Sequence, residues 1–487
     1  MQRIAIMPTR SLAALSRQPW YPRYVLGLLI LVYAINIMDR QVLALLLEDI
    51  RHDFALNDAQ LGLLGGLAFA VFYAVLGIPL ARLADGGRRR EVLAGCLLLW
   101  SLATACCGLA VGFVSLLIAR IGTAIGEAGG SPASHALIAS HFPPAQRATA
   151  LSFYALGVPL GALVGNLASG WLNELLPWRW VFIVLGLPGL PCALLVWNTL
   201  GNHGAGASSA LAVAGVMGDD GGETSPVCPT SGVTDPAMAV REQGRAIPSV
   251  SLASSVMPFA QAAVRLLRRR SYRHLCLAAA LHSVVWYAGS TWNASFFMRL
   301  HGLGPGPTGT LIAALALMGL VGTCLGGRLA DRLAARYDDA RWYWWVPGLA
   351  ILSMLPLQCG AYLGTYLGIG LAPALGCFAA MTLLAATFFG PSYAVAQALA
   401  EEHSRALAAA LLLFTQTLIG LGIGPWITGV LSDWLAPRLG DASLGHALAL
   451  VGIVNLWSAW HYRLGAQVYR QDLQHHALAC VRREVQA

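Results

Sequence analysis

The chain has no lysine: all 31 of its basic residues are arginine. That absence removes several chemistries. A phosphate-cradling loop ending in Gly-Lys-Ser/Thr is excluded, and with it ATP-driven pumping by this chain alone. So is a Schiff-base lysine. Charge of either sign is scarce, at 11% of residues against about 25% in soluble proteins. No Cys-x-x-Cys occurs, and most of the ten cysteines, such as Cys96, Cys106, Cys107, Cys324 and Cys359, lie in apolar runs. They read as small buried hydrophobes, not metal ligands or disulfides. No His-Glu-x-x-His and no Gly-x-Ser-x-Gly occurs, which argues against an intramembrane enzyme. Residues 1–22 lack an apolar core of signal-peptide type, so the first spanning helix is expected to act as an uncleaved signal.

What fills the chain instead is grease. Of 487 residues, 57% are hydrophobic, and the mean hydropathy is +0.63. Such a chain must hide its surface in lipid, in units of roughly 20 apolar residues. Twelve runs fit: 24–47, 58–81, 91–112, 114–140, 148–175, 179–199, 273–299, 308–330, 342–366, 370–399, 406–435 and 445–466. The arginines fix their polarity. Arg82, Arg88, Arg89, Arg90, Arg147, Arg328, Arg332, Arg336, Arg341 and Arg405 fall on one side, whereas Arg51, Arg179, Arg299 and Arg438 fall opposite. Basic residues favour the cytoplasm, so both termini are expected there. The formal charge of +8 follows from the same loops and implies no nucleic-acid partner.

The predicted architecture is an all-α membrane protein of two six-helix bundles. Its parts are an N-terminal tail (1–23), a first bundle (24–200), a cytoplasmic linker with an interfacial helix (201–272), a second bundle (273–468) and a C-terminal tail (469–487). Residues 201–255 are rich in Gly, Ala, Ser, Pro and Thr, as a flexible linker is. Residues 256–272 mix Phe259, Val264, Leu266 and Leu267 with Arg265, Arg268, Arg269 and Arg270, which suits a helix lying on the anionic inner leaflet.

A motif recurs in both halves. One loop reads Ala81-Arg-Leu-Ala-Asp85-Gly-Gly-Arg88-Arg89-Arg90, and another reads Gly327-Arg-Leu-Ala-Asp331-Arg332-Leu-Ala-Ala-Arg336. Two copies in register with a six-plus-six count indicate duplicated halves. Both resemble the cytoplasmic-loop signature of the major facilitator superfamily, although Ala81 and Gly86 depart from it. The resemblance implies a latch, formed by Asp85, Arg88, Arg89, Arg90, Asp331, Arg332 and Arg336, that holds the bundles together when the transporter faces outward. Three further segments resemble bacterial Spinster-type transporters: Asn36-Ile-Met-Asp39-Arg40, the stretch from Arg120 through Gly122, Gly126, Glu127 and Gly130 to Pro132, and Tyr272-Arg273-His274 leading to Trp292 and Arg299. Eukaryotic members of that family move lysophospholipids or sphingosine-1-phosphate, with proton coupling proposed for some.

Asp39, Arg40, Arg120 and Glu127 are embedded in apolar helices. Each charge at a helix centre costs roughly 2.5–3.5 kcal/mol on insertion scales, so four unpaired would cost about 10 kcal/mol. They must pair, face a wet cavity or take up a proton. Arg120 and Glu127, seven residues apart, share a helix face with about 10 Å between them along the axis. Each therefore needs a partner on the first helix. Asp39 is the natural partner for Arg120, leaving Arg40 to Glu127 or a headgroup. Protonating Asp39 or Glu127 would free an arginine to hold an anionic substrate, and an arginine's planar fork suits phosphate.

Gly122, Gly126 and Gly130, spaced by four and followed by Pro132, indicate close packing with a capacity to bend. Gly157-Val-Pro159-Leu-Gly161 and Gly420-x-x-x-Gly424-Pro425 are candidate hinges at equivalent places in the two halves. His282, Trp286, Tyr287, Trp292, Asn293, Phe388, Phe389 and Tyr393 are candidates to line a central cavity, while His135 and His141 are expected at the interface. The expected protein is a monomeric inner-membrane carrier without cofactor or metal, driven by the proton gradient. Its substrate would be an amphipathic anionic lipid-like solute. A drug or metabolite exporter and a lipid-binding receptor or scaffold are the alternatives.

Overall fold

The computed structural model describes residues 18–201, 259–364, 366–400 and 404–486, and these are helical nearly throughout. The linker 202–258 and most of the N-terminal tail lie outside the described residues.

The first half comprises α1 (Tyr21–Phe54), α2 (Asp58–Ala84), α3 (Arg89–Cys107), α4 (Phe113–His141), α5 (Thr149–Leu175) and α6 (Trp178–Thr199). A short helix, α7 (Phe259–Arg268), leads into α8 (Arg270–His301). Then come α9 (Pro305–Tyr337), α10 (Trp342–Leu363) and α11 (Leu371–Ala398). Residues 405–439 form α12, followed by α13 (Ser443–Gly452) and α14 (Val454–Gln486). Ten stretches are long and apolar enough to cross a membrane. Arg270–His301 is not among them, and the last of the ten, Leu407–Leu473, runs for 67 residues. It turns at Gly440, whose φ of +54° suits a residue without Cβ.

The expected run 445–466 is interrupted at Ile453, and α1 extends past its expected limits by several residues at each end. The amphipathic segment before α8 is helical, with Leu266 buried beside Tyr272 and Leu399.

Small residues set how closely the helices approach. On α5, Gly157 and Gly165 lie against Tyr33 and Met38 of α1, where an added Cβ would come within 2.8–2.9 Å of those residues. Side-chain-free faces of this kind are the usual means of helix association in lipid, where no hydrophobic force draws helices together. The two halves meet along similar seams. Gly66 of α2 faces the Leu421 carbonyl of α12, and a Cβ there would sit at 2.8 Å. Gly170 of α5 faces the Pro305 carbonyl of α9 at 2.6 Å on the same measure. Helices α1 and α8 supply the third contact between the halves.

Candidate functional site

On α1, Asn36 lies about one turn before the adjacent Asp39 and Arg40; Asp39 is fully buried against α3, and Arg40 turns to α2 and α4. The Arg40 Nε–H donates to Glu127 Oε2 of α4 at 2.6 Å. Its guanidinium lies 5.0 Å from the ring centres of both Phe69 and Tyr73 on α2, which stack on each other 5.7 Å apart, so it sits beside the ring pair within cation–π reach. Arg120, two turns earlier on α4, also comes within cation–π reach of Phe69, 5.4 Å from its ring centre. Phe69, Ala70 and Ala124 pack with Leu421 of α12, and Tyr73 and Tyr287 of α8 join them. The charged cluster of the first half thus abuts the second half.

The expected Asp39–Arg120 ion pair does not form. Thr104 of α3 donates its hydroxyl to Asp39 Oδ2 at 3.3 Å instead. Asp39 Oδ1, Glu127 Oε1 and Arg120 Nε and Nη1 are buried and accept or donate no hydrogen bond among the described residues. Buried charge left in this state is costly.

The cavity-lining candidates divide. Trp286, Tyr287, Asn293, Phe389 and Tyr393 keep partial exposure. His282, Trp292 and Phe388 do not line a cavity, being at most 1% exposed. The two nitrogens of His282 face Asn455 Oδ1 and the Ala385 carbonyl, both at 3.0 Å, inside the second half. The Trp292 Nε1–H donates to the Pro425 carbonyl at 2.9 Å, pinning α8 to α12.

The candidate hinges are largely packing points. Gly126 and Gly130 press against Trp100 of α3, and Gly424 against Val284 of α8. Helix α4 does break, but at Gly129 and not at Pro132; α5 breaks at Leu156, ahead of Pro159. In the loop motifs, Asp331 accepts a 2.6 Å hydrogen bond from Tyr343 within its own half, and Arg90 pairs with the adjacent Glu91 at 3.2 Å. Arg88, Arg332 and Arg336 are exposed and Arg89 partly so; the side chain of Asp85 is not described. No ion pair between the halves involves these arginines among the described residues. His135 is exposed and lies edge-on to Tyr154, and His141 is bound to the Leu137 carbonyl.

The residues that sequence reading passed over lie at the other end of the helices. Arg299 of α8 donates to both oxygens of Asp58 on α2, at 2.7 and 2.8 Å, and to Glu48 of α1 at 2.8 Å. Ser432 of α12 donates to Asp58 Oδ2 at 2.6 Å. Asp433 accepts the backbone N–H groups of Asp58 and Ala59, at 2.9 and 2.8 Å. A carboxylate there meets the positive end of α2. Asn57 and Gln60 complete that helix start by exchanging side-chain and backbone hydrogen bonds, a capping box visible as Asn57-x-x-Gln60. Among the described residues, no group of three or more His, Cys, Asp or Glu is arranged to hold a metal.

Two packed helical halves with buried charge at their junction define a membrane transporter. The family model for the Major Facilitator Superfamily matches residues 29–425, and the chain belongs to that superfamily. A relative described as an MFS-type efflux pump from Mycolicibacterium smegmatis is 32% identical over 454 residues, 92% of this chain and 93% of its own. Protein spinster homolog 1 of Homo sapiens is 30% identical over 176 residues, 36% of this chain and 33% of its own. Among solved structures, a bacterial homolog of the human lysosomal transporter Spinster, inward-facing and unoccupied, is similar with a TM-score of 0.75. It is 27% identical, over 93% of this chain and 99% of that one.

Proposed function

We propose that this protein is a proton-coupled secondary transporter that moves an amphipathic anionic, lipid-like solute by alternating access. The observation that carries the reading is the Arg40–Glu127 pair beside the junction of the halves, its carboxylate buried and its guanidinium partly exposed. When Glu127 takes up a proton, its charge is lost and Arg40 is released from its acceptor. The arginine fork, held beside the stacked rings of Phe69 and Tyr73, is then free to bind two oxygens of a phosphate or carboxylate head. Asp39, adjacent to Arg40, is the second carboxyl able to take up a proton, and Arg120, two turns from Glu127, is the second cation. Return of the proton to bulk restores the pair and expels the solute.

The full topology belongs to this proposal. Arg270–His301 spans as well, and Leu407–Leu473 spans twice about its turn at Gly440, which gives twelve helices with both termini in the cytoplasm. The seams and the Arg299 network then lie on the outer side, and the protein faces inward. The inner membrane, a monomeric working unit and the absence of any cofactor follow from the same reading.

The test is uptake of a radiolabelled lysophospholipid into liposomes under an imposed pH gradient. Wild type should accumulate it, and Glu127→Gln and Asp39→Asn should lose the gradient dependence while still equilibrating the solute. Two mutants with the pH dependence of wild type would defeat the proton switch. Export of drugs is the second reading, favoured by similarity to the efflux pump along nearly the whole chain. Competition by lipophilic cations but not by amphiphilic anions would select it. Binding of either class without flux would select a receptor or scaffold.

A further inference from the structure

The turn between α9 and α10 borders an open surface cavity of about 370 Å³ lined by Tyr337, Asp339, Arg341, Trp342, Trp345 and Leu349. Ligand sites start at roughly this size. At its mouth, Asp339 gathers two arginines. Arg341 reaches it with its backbone N–H at 3.0 Å and its Nη2 at 2.7 Å, and Arg470 of α14 reaches it at 3.1 Å. The Arg341 guanidinium holds the Asp339 carboxyl down at about 2, so it stays ionised. The arginines are in surplus: the side chains of Arg341 and Arg470 remain 38% and 54% exposed, and each guanidinium has five N–H donors. Arg336 adds a third cation over the Tyr337 ring at 5.9 Å, against which the neighbouring Asp338 is the one further acid of the turn.

The walls are aromatic. Tyr337 stacks on Trp342 with ring centres 5.4 Å apart. Leu349, half-exposed, lies seven residues further along α10 than Trp342, about 10 Å deeper. A charged mouth, a Trp/Tyr collar and an apolar floor follow one another as headgroup, interface and acyl chain do in a bilayer. The transported solute is the wrong occupant. Helix α10 packs on α9, α11, α13 and α14, all in the second half, so the cavity opens away from the junction where Arg40 lies.

We infer that this cavity is a binding site for a membrane phospholipid, with the phosphodiester on Arg341 and Arg470 and an acyl chain along Trp345 and Leu349. The site does not depend on what the protein transports. The test uses the full chain purified in dodecyl maltoside. Phosphatidylglycerol, a diacyl glucolipid with the same chains but no phosphate, and inorganic phosphate are titrated separately. Thermal unfolding and native mass spectrometry are the readouts. Phosphatidylglycerol should raise the melting temperature saturably, and the other two should not. Arg470→Gln and Trp342→Leu should each weaken its apparent affinity about tenfold, the scale of one charged hydrogen bond or one buried ring. Where a variant melts early, the fraction of lipid-bound protein in the mass spectrum gives the same comparison without the melt. Equal affinity in wild type and both variants would overturn the assignment. So would an equal response to the glucolipid, and a response to inorganic phosphate alone would make it a free-anion site.

Discussion

Replacing Arg299 with glutamine should open the seam between α2 and α12. The Arg299 side chain is 7% exposed, and its partners Glu48 and Asp58 are 10% and 4% exposed. Removing one partner of a buried pair strands the other charges and costs about 3–5 kcal/mol. Arg51 stands 3.7 Å from both acids and is more exposed, so it compensates in part, and the lower end of that range applies. At about 1.4 kcal/mol per tenfold, a loss of roughly 3 kcal/mol raises the open population about 100-fold. The seam has a built-in reporter, because the Asp58 and Ala59 amides are bonded to Asp433 across it. Those amides exchange with solvent when the halves part there, so hydrogen–deuterium exchange of a peptide covering 56–62 reads the opening directly. Exchange should quicken by about two orders of magnitude in Arg299→Gln, with no change in peptides from the α1–α5 seam. The triple variant Arg299→Gln, Glu48→Gln, Asp58→Asn leaves only Arg51 without its acids, and Arg51 is exposed enough to be solvated, so most of the protection should return. Exchange in the single variant within about threefold of wild type would refute the reasoning, since so small a change is under 1 kcal/mol.

Three further outcomes follow from single contacts. Gly62→Val drives a side chain into the Pro425 carbonyl, so the same peptide should exchange fast and net uptake should fall about tenfold or more. Gly126→Val meets Trp100 Cβ, 2.7 Å from an added Cβ, and should lower the melting temperature by the equivalent of about 1–3 kcal/mol, whereas Gly95→Ala, with nothing within 4 Å, should be neutral. Asp339 has a depressed carboxyl, about 2 against an ordinary value near 3.9. Its contribution is complete above that ordinary value and is lost as pH falls through about 2. The difference in melting temperature between wild type and Arg341→Gln should therefore be the same at pH 5 and pH 8; a difference that changes between them would place another titrating group in the turn.

What the sequence made legible, and what it hid, has a physical pattern. Spans were readable because lipid allows only helices, and twenty apolar residues leave few alternatives. The Arg40–Glu127 pair was within reach because helical spacing puts Arg120 and Glu127 on one face and leaves two charges on α1 to meet them. Choosing between the possible pairings was not, because Thr104 belongs to a third helix whose rotation no spacing on the first two reveals. His282 and Trp292 misled for a related reason. Helix α8 is apolar on most sides, so an aromatic or imidazole residue carries no sign of whether it turns to a cavity or into a seam.

Glu48, Asp58 and Arg299 were hidden by their position at helix ends, where charge is ordinarily solvated. The one local signal was Asn57-x-x-Gln60, which starts a helix at Asp58 and so turns that carboxylate inward. The consequence is an asymmetry between the two ends of the molecule. At one end, glycine–carbonyl contacts and a five-residue charge network of Glu48, Asp58, Arg299, Ser432 and Asp433 tie the halves together. At the other, Asp331 is held by Tyr343 of its own half, and the arginines of both loop motifs make no ion pair across the junction among the described residues. The glycine contacts carry no charge and respond to no proton. Under the proposed proton switch, the charged groups midway, Arg40 and Glu127 foremost, are the ones placed to carry it, because they lie beside the packing of α2 and α4 against α8 and α12.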